Sequence, residues 1–317
     1  MTESHRAIEV KRGRTNPSLT FPRASAKKPY RRKIDFGSPA GEPALVSPHS
    51  ISWRVCKNPI ALFIGGVTAV VLEFAEPKIR SGVWDHSVFR TDPIARMQRT
   101  GLATLMSVYG PRSKAERLIA GVVHMHDKVE GVTPTGEHYR ANDPRLLDWV
   151  HCTASFGFVE AYSTFVAALC VQEKDQYYQE GSNTGRLFGA LTAPTTVADA
   201  AALFQAMHSR FEPSPIIGEF LGIMMHAPIM PLPLRPLQRL LVRAGVEITP
   251  KSVREVLGLG EGWDLTGYER TLVRWSGWLA DRIRLSSSAP VQACRRLGLP
   301  DDFLYTKRPA QRIRDSL

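Results

Sequence analysis

The sequence predicts an all-α protein: a single helical domain, globin-like in arrangement, behind a disordered basic N-terminal arm. Apolar residues recur at spacings of three and four from about residue 51 onward, no run of alternating strand residues stands out, and proline and glycine punctuate the helical stretches. The composition is globular, with 43% hydrophobic and 22% charged residues in 317, enough chain to bury a sizeable core.

The elements follow in chain order. Residues 1–33 hold ten Lys/Arg against two Asp/Glu and account for most of the formal charge of +11, leaving the body nearly balanced. The arm has few apolar residues and no periodicity, which predicts a solvated leader; its basic runs, Lys11-Arg12-Gly13-Arg14 and Lys27 to Lys33, also suit a weak contact with anionic membrane or nucleic acid. Gly37 to Ser50 carries three prolines and two glycines and reads as a linker. The division is therefore 1–50 as leader and linker, 51–317 as the helical domain.

The apolar run Pro59 to Leu72 is too short to span a bilayer, which takes about 20 residues, and reads as a buried helix ending at Glu73. Asn142-Asp143-Pro144 supplies start signals for a helix read over 144–174, with Leu147, Val150, His151, Ala154, Phe158 and Tyr162 along one stripe. Similar stripes cover 92–108, 113–130, 197–211, 215–227, 234–244 and 264–285. Four scattered cysteines without a CxxC pair, and no secretory signal, favour a reducing compartment, the cytoplasm.

GxGxxG after a strand, GxxxxGK[ST], GxSxG and HExxH are all missing, so dinucleotide, P-loop, serine-hydrolase and zincin chemistry lack support. Attention falls on polar residues placed where a helical core is apolar. In SKAERLIAGVVHMHDKVEGV, Ile119, Val122, His126 and Val129 share a face, and His124 points about 200° away, so the pair is no chelate. His126 is either a core histidine bonded to a carbonyl or a neutral metal ligand, with Gly121 nearby to admit a flat ring. Arg96, Arg99 and Thr100 lie at i, i+3 and i+4, either a solvated basic face or two guanidinium groups and a hydroxyl converging on an anion. His151 is a core histidine, a donor in an oxygen-binding pocket, or an orienting partner. Tyr177 and Glu180 read as ordinary packing residues that could edge the same cavity.

These pieces in this order, SGVWDHSVFRTDPIARMQRT, SVYG, VVHMHDKVEG, EHYRANDPRLLDWVHCT, YYQEG and ITPKSVREVLGL, resemble the oxygenase-like family that includes bacterial latex-clearing protein (rubber oxygenase) and the fungal mycophenolic-acid-pathway oxygenase. The resemblance runs from about Pro59 to Ile283. It implies a globin-like helical fold holding haem b (iron) on a proximal histidine. His126 is the match, three and five residues before the Val129 and Gly131 of an H-x-x-V-x-G pattern. The family's RxxKT-like pattern falls on Arg96, Arg99 and Thr100, with arginine in the lysine position; no residue matches the acid that rubber oxygenases use.

The function so implied is a haem b-dependent oxygenase or oxidase acting with O2 on a hydrophobic small molecule, isoprenoid or lipid-like. Arg96 would pair a propionate, Arg99 and Thr100 would position groups at the pocket edge, and His151 would be a distal donor. The alternative is a non-catalytic helical lipid- or isoprenoid-binding protein. Nothing in the sequence marks an obligate protein partner.

Overall fold

The computed structural model describes residues 34–306, and the expectation for the basic arm lies outside them. From Asp35 onward the chain packs as one unit. The described residues form thirteen α-helices: α1 (Ile51–Cys56), α2 (Pro59–Ala75), α3 (Pro77–His86), α4 (Pro93–Tyr109), α5 (Arg112–His126), α6 (Pro144–Phe165), α7 (Val171–Leu187), α8 (Val197–Met207), α9 (Pro215–His226), α10 (Arg235–Glu247), α11 (Lys251–Leu257), α12 (Gly267–Ala280) and α13 (Ala289–Arg296). The all-α class read from the sequence is the class observed.

Proline at the first turn, behind a capping side chain, starts the helices that matter most here. Asn58 accepts from the Ile60 and Ala61 amides ahead of α2, Asp92 from Ala95 ahead of α4, and Asp143 from Arg145 ahead of α6. The α2 helix lies at the centre, against α6 and α10. It approaches α6 at two glycines: a Cβ on Gly65 would lie 2.6 Å from the Gly157 backbone. Around this crossing Ile64, Val67, Val71, Leu72, Trp149, Val159, Leu241 and Val242 form the main core. Pro77 cannot continue α2, and Glu76 stabilises the break by accepting from the Ile79 amide at 2.9 Å and pairing with Arg210 at 2.6 Å. No single helix among the described residues is long and apolar enough to cross a membrane.

Three expectations are corrected. The helix read over 144–174 is two: α6 ends at Phe165, and α7 begins after Cys170, where the Glu173 carboxylate accepts from the Cys170 amide at 3.0 Å and starts a new first turn. The helix read over 113–130 stops at His126, because residues 130–140 form a hairpin of two short antiparallel strands, β1 (Glu130–Val132) and β2 (His138–Arg140), turning through Gly136 at φ +88°. The stretch 37–50 lacks regular structure, as its prolines dictate, yet it is no free linker. Phe36, Ala44 and Val46 are buried in a second core cluster with Trp53, Tyr109 and Ala293, and Arg296 donates to the Phe36 and Glu42 carbonyls.

Candidate active site

Glu73 is the only charged side chain in α2 and it lies in the last turn, half-buried between apolar neighbours. Its nearest polar neighbour from α6 is the Thr153 hydroxyl at 3.5 Å. That hydroxyl already donates to the Val150 carbonyl at 2.8 Å, so the carboxylate gains little from it. Burial therefore dominates and pushes the Glu73 carboxyl up to about 7, with the Arg96 guanidinium pulling the other way.

The charge of Arg96, on α4, acts on this carboxyl. Its guanidinium donates to Thr100 Oγ1, and the Thr100 hydroxyl donates back to the Arg96 carbonyl at 3.1 Å, so two of the three RMQRT residues are bound to each other along one helix face. Burial lowers the Arg96 pKa, Glu73 raises it, and Arg99 lowers it. Arg99 itself is exposed. Farther along α4, Ile94, Met97, Leu102 and Leu105 are only half-buried, so the helix carries an apolar row that the fold does not fully cover. On α2, a Cβ on Gly66 would meet nothing within 4 Å, although the neighbouring Gly65 is wedged against α6.

His126 closes α5. It is half-buried, and its Nδ1 is shielded from water with no hydrogen-bond partner. Burial, and then the charge of Arg96, lower its pKa, so the ring is neutral at physiological pH. His124 faces outward, 71% exposed, beside Asp127, as the two-residue spacing predicts. Arg96 of α4 thus links the group through its charge, which acts on Glu73 of α2, bordered by Thr153 of α6, and on His126 of α5, while the exposed Thr100 is bonded to Arg96 itself. Gly121 is exposed on open space.

His151 does not join this cluster. Its ring packs on α7, where a Cβ on Gly185 would come within 3.0 Å of it, and the one charge acting on it is that of Asp148. Its Nε2 is buried without a partner, and burial pushes the imidazole down to about 4. The stability carried by the neutral ring is complete above 6.5 and lost as the pH falls towards 4. His151→Gln is accordingly expected to remove one proton's dependence from acid unfolding in that window, read as the slope of denaturant stability against pH; an unchanged slope contradicts the burial argument.

Tyr177 and Glu180 do not edge the cluster either. Tyr177 is buried against the Cys56 thiol, and Glu180 accepts from the Ile51 and Ser52 amides at 3.1 and 2.9 Å, holding the start of α1. Glu73 and Thr153 are the residues that sequence reading passed over. A lone carboxylate inside an otherwise apolar 17-residue helix is the signal that marks the first.

Among the described residues no three His, Cys, Asp or Glu side chains converge to cage a metal ion. What they do hold is one neutral imidazole, one arginine and one carboxyl of near-neutral pKa whose charges act on one another across a helical scaffold. Residues 53–282 match the family model described as the ER-bound oxygenase mpaB/B'/rubber oxygenase catalytic domain, and the chain belongs to that family. It therefore carries an oxygenase catalytic domain. No curated protein and no solved structure matches the chain.

Proposed function

We propose that this protein is a haem b-dependent oxygenase acting with O2 on a hydrophobic small molecule. The observation that carries the reading is the neutral imidazole of His126, its Nδ1 buried and unpartnered, beside Arg96. A porphyrin brings four nitrogen ligands of its own and asks the fold for one axial group, which a single histidine provides. The residues present fit such a group: His126 to hold the iron, Arg96 with Thr100 to meet a propionate and Arg99 to add positive charge at the edge. The apolar row of α4 suits the face of a flat ring.

Bound haem would supply the dioxygen chemistry. The remaining work falls to the chain. Glu73, neutral or ionised with nearly equal ease at pH 7, holds or takes a proton at its carboxyl oxygen. Val70, Met97 and Val150, packed against the main core, add apolar surface to these helices, which favours an apolar substrate, isoprenoid or lipid-like.

Full-length protein produced with iron and a haem precursor is expected to show a Soret band, which His126→Ala abolishes while the helical circular dichroism persists. A wild-type protein that stays colourless under these conditions sinks the proposal. A second reading, a lipid or isoprenoid carrier without turnover, draws on a separate, mostly apolar cavity of about 580 Å3 lined by Phe156, Tyr178, Val197 and Phe204. Native mass spectrometry that finds lipid and no porphyrin would favour it.

The catalytic domain comprises the matched residues 53–282 with the chain from Asp35 packed on them, and a reducing, cytoplasmic location suits the buried thiols of Cys56, Cys152 and Cys294. The basic arm would make weak contact with anionic surfaces; deleting residues 1–33, which stops short of the buried Phe36, is expected to remove that contact and leave turnover intact.

A further inference from the structure

Asn142 lies at the end of the hairpin, one residue before the cap of α6, and the Ala141 amide bonds to the Val129 carbonyl at 2.9 Å, which folds this turn back onto the end of α5. Its carboxamide orientation is fixed by chemistry. Nδ2 donates to the Val123 carbonyl at 3.2 Å and to the Asp127 carboxylate at 2.5 Å. Both partners only accept, so the nitrogen and oxygen ends cannot be exchanged. That leaves Oδ1, a buried acceptor with no partner. The bonds to Val123 and Asp127 set the carboxamide on the last turn of α5 beside the imidazole of His126, whose Nδ1 is a buried nitrogen with no partner. Each orphan is the complement of the other.

We propose that Asn142 is the positioning residue of the haem ligand: its Oδ1 accepts from His126 Nδ1–H, which fixes the tautomer, leaves the Nε2 lone pair free for iron, and sets how strongly the ring donates. The inference rests on His126 being the axial ligand, as proposed above. A proximal histidine needs its second nitrogen held by an acceptor, because an unanchored ring rotates and binds metal more weakly. The hairpin between α5 and α6 then has a purpose beyond connecting two helices. It brings a carboxamide from the start of one helix to the last residue of the other.

A competing account makes Asn142 only a staple for the end of α5 through Val123 and Asp127. Two variants of the full-length, haem-loaded protein separate the accounts. Asn142→Leu removes the acceptor. The double variant Asn142→Asp with Asp127→Asn preserves a side-chain hydrogen bond between the two positions but presents a carboxylate to the imidazole N–H. The readouts are the ferric/ferrous midpoint potential, the iron–histidine stretching frequency of the ferrous form, and the rate of haem transfer to an excess of apomyoglobin.

Asn142→Leu is expected to raise the potential, lower the stretching frequency and speed haem loss by about 10- to 100-fold. The double variant is expected to shift potential and frequency the opposite way, since a carboxylate acceptor makes the ring a stronger donor and favours the ferric ion. Opposite displacements from the wild type are outside the reach of a staple. Haem-loaded variants with the wild-type frequency and potential overturn the inference and leave the His126 assignment standing; a wild-type chain that takes up no haem overturns both.

Discussion

Glu73→Gln is expected to make the protein more stable at alkaline pH and less active at every pH. The carboxyl has its pKa raised by burial from an ordinary 4.5 to about 7, so the folded state holds the proton more tightly than the unfolded chain does. The stability associated with the neutral form is complete below 4.5 and lost as the pH rises through about 7. Beyond that point the wild type bears the whole penalty of an ionised carboxylate beside Val70 and Phe74, about 3 kcal/mol at 1.36 kcal/mol per unit. Glutamine has the same shape and no charge. Denaturant titrations from pH 4 to 9 should show the stability of the variant relative to wild type rising between about 4.5 and 7 and levelling above 7, with the His151 contribution common to both; parallel curves would refute the assignment of Glu73 as a protonated, buried acid at low pH. Oxygenase turnover should fall by about a hundredfold or more, the contribution of a positioned proton donor or acceptor.

The legible parts of this chain are those written in local code. The Asn58-Pro59, Asp92-Pro93 and Asp143-Pro144 pairs each start the helix they announce, because an acceptor side chain and a fixed proline φ act within one turn. The side of α5 on which His126 sits, and the outward turn of His124, follow from periodicity alone. Local code fails where tertiary structure decides. The stripe through Val150, Ala154 and Phe158 was legible, but not that Trp149, Cys152 and Thr153 beside it would be the more deeply buried, since their partners come from α2 and α8. Three-residue strands offer no alternation to read, so the hairpin and the return of Asn142 to α5 were invisible. His151 shares a sequence pattern with the other candidates and is placed against α7 instead, where Gly181 and Gly185 leave room for its ring. Glu73 was hidden for the opposite reason: it was read as the polar end of an apolar helix that in fact continues to Ala75.

The crossing of that helix with α6 predicts its own weakest point. Gly157→Ala is expected to lower stability by about 3 kcal/mol, the upper end for overpacking a filled core, because its Cβ would strike the Gly65 carbonyl, and backbone cannot swing aside as a side-chain terminus does. Relief requires α2 and α6 to separate along their whole crossing, which loosens Val67, Val71 and Trp149 and shifts Glu73 away from Thr153. Helix propensity works in the other direction, favouring alanine over glycine by about 1 kcal/mol, so a measured loss understates the clash. Gly66→Ala provides the matched control one residue from the other half of the contact: it has the same propensity gain, and its Cβ meets nothing within 4 Å, so the protein should become more stable by about 0.5–1 kcal/mol. Thermal or urea unfolding of the two variants distinguishes a tight helix crossing from a general intolerance of α2 and α6 to alanine; equal effects of the same sign would remove the crossing as the element that holds Glu73 in place.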